Sequence, residues 1–160
     1  MLALERHGVD RSELALQLSD AVAGADAARG RSADRAFRSY GLSHRAHQVL
    51  CAVDEGGPDG ARPKDVAAHL GVSRAAATTF VQRLEARGFV ETTPDTVDDR
   101  GVRVTLTRRG LEVLLRVGQL ERRLAARAIE GMPASSIARA VSLLREFKQR
   151  LDEKQIRVVS

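Results

Sequence analysis

Three side chains able to bind a soft or borderline metal, His44, His47 and Cys51, recur at i, i+3 and i+7 in "SHRAHQVLC". On a helix this spacing puts them along one face, as a zinc site built on a single element requires. The same residues also fit a helix without a metal. His44 then sits near the helix start, His47 is partly buried, and Cys51 is a small inert core residue, as buried free cysteines commonly are. His7 and His69 have no second ligand type at a metal spacing. The paired carboxylates Asp98-Asp99 fall in a run of turn-forming residues, where a solvated turn accounts for them. No nucleophile elbow, phosphate-binding glycine loop, dinucleotide fingerprint or zinc-protease helix motif is present. The chain is therefore expected not to be an enzyme and to require no cofactor.

A second kind of chemistry is offered by "DVAAHLGVSRAAATTFVQRLEARGFVE", Asp65 to Glu91. Its helix-forming residues are interrupted by Gly71-Val72-Ser73, which stops one helix and caps the next. In the second helix Ala77, Phe80/Val81 and Leu84 form one apolar stripe. The opposite side carries Arg74, Ala75, Thr78, Thr79 and Gln82, small and hydrogen-bonding residues rather than the alternating charges of a merely solvated helix. Small residues let a helix approach base edges, arginine can make two hydrogen bonds to guanine, and threonine offers a hydroxyl to phosphate or a methyl to thymine. An ordinary helical hairpin within a core would show the same break but has no use for that face.

The elements that must position these residues follow from periodicity. Asp10 and Glu13 have capping-box spacing, and Leu14, Leu18, Ala21/Val22 and Ala25 recur at helical period. A helix is expected from about Arg11, bending or stopping around "ARGRSAD" and resuming to Tyr40. Gly41 breaks it, Ser43 caps a helix whose buried face is Val49, Leu50 and Val53, and "EGGPDGARP" reads as a loop. Pro63 suits a first helical turn, and Val66, Ala67 and Leu70 carry that helix to Gly71. After the second helix, "FVETTP" and "VRVTLT" are strand-prone runs around the polar tip Asp95 to Gly101, giving a hairpin. A helix-turn-helix with a trailing hairpin is a winged helix. Farther on, Leu114, Val117, Leu120/Glu121 and Leu124 follow one stripe, and after Pro133 the set Ala140, Leu144, Phe147 and Leu151 has heptad spacing. These helices either pack within the chain or meet a partner's matching helices, and a two-fold dimer is the favoured arrangement.

Composition agrees with a DNA-binding reading. The 160 residues are 43% hydrophobic and 29% charged, an ordinary globular balance. The net charge of +5 favours a polyanionic partner. Residues 1–61 hold 7 basic and 9 acidic side chains, residues 62–110 hold 9 and 6, and residues 111–160 hold 10 and 6, so the broken helix lies in a basic segment. A single cysteine excludes an internal disulfide framework and fits a reducing cytoplasm. The opening "MLALERHGVDRSE" turns charged too early for a signal peptide, and no apolar run is long enough to span a bilayer, so no membrane partner is expected.

From Gly41 to about Leu115 the sequence resembles the multiple-antibiotic-resistance regulator (MarR) family of bacterial transcription factors. The resemblance is carried by "GLSHRAHQVL", "RPKDVAAHLGVSRAAATTFVQRLEARGFVE" and "DTVDDRGVRVTLTRRG". Its most specific element is Asp98-x-Arg100 followed by "VTLTRRG". The resemblance implies a mainly α fold with a small β-wing: one domain over 1–160, with N-terminal dimerisation helices over 11–40, a winged helix-turn-helix over 43–110 and C-terminal dimerisation helices over 111–154. It also implies a cytoplasmic homodimer that binds double-stranded DNA in sequence-specific fashion. The leading expectation is a repressor of neighbouring genes that a small ligand releases from a pseudo-palindromic operator.

The candidate DNA contacts are Lys64, Ser73, Arg74, Ala75, Thr78, Thr79, Gln82, Arg83, Asp98 and Arg100. The wing departs from the family pattern, with Thr92 and Thr93 where basic residues are usual and an acidic tip of Asp95, Asp98 and Asp99. Like charge repels phosphate, so Arg100 is expected to carry most of the wing's affinity, with Asp98 holding its guanidinium. His47 stands where the family often has an aromatic residue lining a ligand pocket. With Arg38, Tyr40 and Arg45 it forms the candidate effector site, and a small anionic aromatic molecule is the expected effector, zinc through His44, His47 and Cys51 the lesser alternative. The family's peroxide and urate sensors rely on a first-helix cysteine and on a tryptophan, neither of which this chain has. Two other function classes compete: a sequence-tolerant DNA-architectural protein, and a winged-helix dimer for protein contacts whose acidic tip has lost most DNA affinity.

Overall fold

The computed structural model describes residues 10–95 and 101–158, with side chains to residue 153. The chain forms two compact units, one reaching Glu121 and the other starting at Arg122.

The first unit opens with helix α1, Arg11–Phe37. Asp10 caps it by accepting from the Ser12 N–H at 2.9 Å. Glu13 does not reach back to complete a capping box but accepts from Gln17 one turn on, at 2.9 Å. The helix does not stop at "ARGRSAD" but runs through it, since an isolated glycine costs a helix only about 1 kcal/mol and no proline follows. Helix α1 is anchored at its C-terminal end by Ala33 and Phe37, whereas Leu14, Leu16, Leu18 and Val22 stay exposed. A 3-10 turn, Arg38–Tyr40, ends at Gly41 in the left-handed region.

Helix α2, His44–Asp54, begins at Ser43, whose hydroxyl accepts from Ala46 N–H at 3.1 Å. Its Val49, Leu50 and Val53 are buried as their spacing requires. The following segment is more than a loop. After a 3-10 turn at Gly57–Asp59, Ala61 exchanges both backbone hydrogen bonds with Val104, each 2.9 Å, and so adds a one-residue third rung to the wing. Gly60 makes this approach possible, since a Cβ there would stand 2.6 Å from the Val104 carbonyl oxygen.

Helices α3, Pro63–Leu70, and α4, Arg74–Glu85, form the broken pair. Gly71 has φ +64°, and Ser73 accepts from Ala76 N–H at 3.2 Å to start α4. Ala77, Val81 and Leu84 are buried and Phe80 half-buried, so the apolar stripe faces inward.

The hairpin pairs β1, Val90–Pro94, with β2, Val102–Leu106, antiparallel, with Val90 opposite Leu106 and Pro94 opposite Val102. Helix α5, Arg108–Ala128, starts at once. Thr107 caps it, accepting from Gly110 N–H at 3.0 Å while donating to the Gly88 carbonyl at 2.7 Å. Gly110 itself is required by contact: a Cβ there would lie 1.9 Å from the Phe89 carbonyl oxygen. The "TRRG" run is therefore the joint that packs α5 onto the wing.

In the second unit the last turns of α5 lead to α6, Ala134–Val158. Ile129, Met132, Val141, Leu143, Leu144 and Leu151 are each 41–57% exposed. Of the heptad set on α6, only Phe147 is half-buried.

Candidate nucleic-acid interface

The outer face of α4 is laid out by the helix period. With Ala77, Val81 and Leu84 buried, Arg74, Ala75, Thr78, Thr79, Gln82 and Arg83 are all exposed. Ser73 is exposed at the cap and Lys64 in the first turn of α3. The two threonine hydroxyls are engaged along the helix: Thr78 donates to the Arg74 carbonyl at 3.0 Å and Thr79 to that of Ala75 at 3.1 Å. Their protons are thus turned inward, leaving oxygen lone pairs and methyl groups on the outside. Of the two roles open to these threonines, methyl contact with thymine suits this arrangement better than donation to phosphate.

Between α3, α4 and the base of the wing lies a cleft of about 300 Å³ lined by Arg62, Pro63, Lys64, Arg74, Thr78, Gly101 and Val102. Three cations on one cleft beside an exposed helix face make a surface suited to a phosphodiester backbone.

The wing base corrects one expectation. Asp95 is not an exposed acid at the tip: its side chain is 1% exposed and accepts from Arg62 Nε at 2.9 Å and Arg103 Nε at 3.0 Å. Two guanidinium groups pair with it, so it is not a free carboxylate facing phosphate. Its N–H closes the hairpin on the Gly101 carbonyl at 2.9 Å. Asp98, Asp99 and Arg100 lie outside the described residues. Arg62 and Arg103 belong to the site and were not among the candidates; the only hint in the sequence was that they fall in its basic segment.

The candidate effector residues are not gathered in one place. His47 is buried, its ring edge-on to Phe37 at 5.3 Å and Nδ1 3.4 Å from Glu121 Oε2 on α5. Arg45 points elsewhere, donating to the Leu70 carbonyl at 3.4 Å and lining a small cleft with Phe80, Arg83 and Arg87. Arg38 is exposed and Tyr40 half-buried beyond the end of α1. A different group surrounds His47. His44 Nε2 stands 3.9 Å from Glu121 Oε1, and Arg29 Nη1 stands 3.4 Å from that same oxygen. The His44 N–H donates to Asp34 at 2.6 Å.

Burial, aided at His44 by the Arg29 charge, lowers both imidazoles below the ordinary histidine range despite the Glu121 carboxylate. Cys51 Sγ is 3.7 Å from His47 Nε2, and burial followed by the Glu121 charge pushes its thiol up to about 11. The metal spacing of His44, His47 and Cys51 is therefore corrected. Among the described residues no three His, Cys, Asp or Glu side chains are grouped to hold a metal ion. His69 is paired with Glu55 at 3.0 Å, and His7 lies outside the described residues.

Among the described residues no helix is long and apolar enough to cross a membrane. The MarR family model matches residues 40–101. No curated protein matches the chain. The fold is similar to that of the transcriptional regulator BldR from Sulfolobus solfataricus, with a TM-score of 0.78 and 24% identity over 89% of this chain and 99% of that one. A mutant MarR from E. coli, complexed with operator DNA, gives a TM-score of 0.76 at 23% identity over 86% and 98% of the two chains. CouR from Rhodococcus jostii RHA1, bound to p-coumaroyl-CoA, gives 0.72 at 22% identity over 81% and 90%. Residues 40–101 thus match the MarR family model, in a chain whose fold is similar to that of these regulators.

Proposed function

We propose that this chain is a sequence-specific, double-stranded-DNA-binding transcription regulator, non-enzymatic and cytoplasmic. The observation that carries the reading is the α4 face: Arg74, Ala75, Thr78, Thr79 and Gln82 stand exposed on a helix whose other side is buried, beside a cleft lined with cations. Such a helix fits the major groove, with Arg74 placed near the start of the helix, where recognition helices contact bases. The E. coli MarR complexed with operator DNA shares this fold and supports the reading. The acidic-tip argument for a protein-contact dimer is weaker now that Asp95 is doubly paired.

The chain works as a homodimer in this reading. Leucines left exposed on α1 and α6 are the apolar surface a second copy would cover. Repression follows if the dimer occupies a pseudo-palindromic operator, and a small anionic aromatic effector would release it by favouring a spacing of the two α4 helices that misfits successive grooves. The ligand-bound CouR supports an effector role. The place for it is beside His47, where α1, α2 and α5 meet.

Two measurements test this reading. Enrichment of duplexes from a random pool should return a defined, two-fold symmetric sequence. Uniform binding to all duplexes would make the chain a sequence-tolerant architectural protein instead. Salicylate-like anions should weaken binding in wild type and act less on His47→Ala. Ligand responses unchanged in His47→Ala would remove the effector site from this position.

A further inference from the structure

Asp95 is the most deeply buried carboxylate among the described residues. A buried carboxylate is costly unless fully paired, and here each of two arginines gives it a short Nε–H bond. The two arginines differ in what they do with the rest of the guanidinium. Arg103 turns Nη1 inward to the Gly60 carbonyl at 3.2 Å, and its side chain lines a separate hollow with Glu55, Asp65 and His69. Arg62 lines the cation-rich cleft with Lys64, Arg74 and Thr78. Its side chain is 29% exposed, and Nε is the nitrogen spent on Asp95. A guanidinium is a rigid planar fork, so fixing Nε fixes where the terminal nitrogens point.

We infer that Asp95 is a positioning residue for a DNA-backbone seat: it pins Arg62 so that its guanidinium, with Lys64 and Arg74, binds a phosphodiester at the cleft between α3, α4 and the wing base. This rests on the DNA-binding reading and adds to it the residue that carries the backbone contact, Arg62, and the acid that aims it. The wing then contributes to affinity through its base, which Asp95 ties to the start of α3, 33 residues away. An acid in a DNA-binding face thereby serves binding.

Because phosphate contacts are independent of sequence, the test uses the full chain and a mixed-sequence duplex titrated over a range of salt. Arg62→Ala should lower affinity roughly tenfold at moderate salt and make the log–log salt slope shallower by about 0.9, the loss of one phosphate contact. Arg62→Lys, which keeps the charge without the fork, should recover the slope but only part of the affinity. Asp95→Asn gives the discriminating sign. It removes a negative charge, so long-range electrostatics alone would tighten binding, whereas release of Arg62 should weaken it severalfold.

In an Arg62→Ala background, Asp95→Asn should cause no further loss. Unchanged or tighter binding by Asp95→Asn, or an equal loss with and without Arg62, would overturn the inference, the second by showing that Asp95 only holds the hairpin. If Asp95→Asn does not fold, Arg62→Ala decides alone: wild-type affinity and slope would overturn the seat, and loss of both would support it. A wild-type protein that binds no duplex overturns the DNA-binding reading itself, whereas wild-type binding with Arg62→Ala unchanged overturns only this inference.

Discussion

The winged helix and the long helices deal with their side chains in opposite ways. From α2 through the start of α5, apolar residues are enclosed: Val49, Leu50, Val66, Phe89 and Val104 are at most 1% exposed, and the deepest charge, Asp95, is doubly paired. On α1 and α6, Leu16, Leu143 and Leu151 are more than half exposed. A region whose apolar residues are enclosed and whose deepest charge is paired holds a fixed local geometry. A region that leaves leucines in water needs something to cover them. The first is a tool with fixed geometry, and the second is a handle.

The largest effect expected of this contrast is on stability. Phe89→Ala removes a buried ring flanked by the Arg87 and Arg109 guanidinium groups, each 4.9 Å from its centroid, and should cost about 3–5 kcal/mol in denaturant unfolding. Leu144→Glu with Leu151→Glu should instead reduce the mass in solution from dimer to monomer while the winged helix keeps its hydrogen-exchange protection. Loss of that protection in the double variant would break the contrast, because the two regions would then be folding as one.

Next in size is specificity. Arg74→Ala should lose roughly 1–3 kcal/mol of discrimination between the selected duplex and a scrambled one, with helical content unchanged. Equal weakening on both duplexes would make Arg74 a backbone contact like the one assigned to Arg62.

A smaller effect is expected at the histidines, where α2 meets α1. His44 and His47 have their pKa values lowered in the folded chain, chiefly by burial. The unfolded chain therefore binds more protons as pH drops below the ordinary imidazole value of about 6.5, and stability should fall with it. Tm should be flat from pH 8 to about 7 and decline toward pH 5, with His47→Phe reducing the decline. A Tm that rises on acidification would mean that the Glu121 carboxylate, not burial, governs this cluster. Smallest should be the tip: Arg100→Ala is expected to lower affinity modestly and flatten the salt slope by about one charge, Asp98→Ala to give part of that loss, and Asp99→Lys to tighten binding.

What the sequence makes legible here is local. Gly71 and Ser73 mark the helix break, and the strand-prone runs mark the wing, because caps, turns and periodicity act within a few residues. Long-range pairings leave no such mark. Asp95 looks like one more turn-forming acid until Arg62 and Arg103 are brought to it, and Ala61 looks like loop until Val104 lies beside it. The same holds for Gly110, recognisable as part of a pattern but explained only by the Phe89 carbonyl above it. The histidine cluster inverts the case: a spacing that promises a metal delivers three side chains whose nearest partners are Glu121, Phe37 and one another.

The central claim is that the exposed α4 face reads DNA as one half of a two-fold pair. The most direct measurement is hydroxyl-radical footprinting of the wild-type protein on a duplex it has selected from a random pool. The result expected is protection of two symmetric half-sites one helical turn apart, about 34–36 Å centre to centre, on one side of the duplex. A footprint without two-fold symmetry, or no selected sequence at all, would contradict the claim.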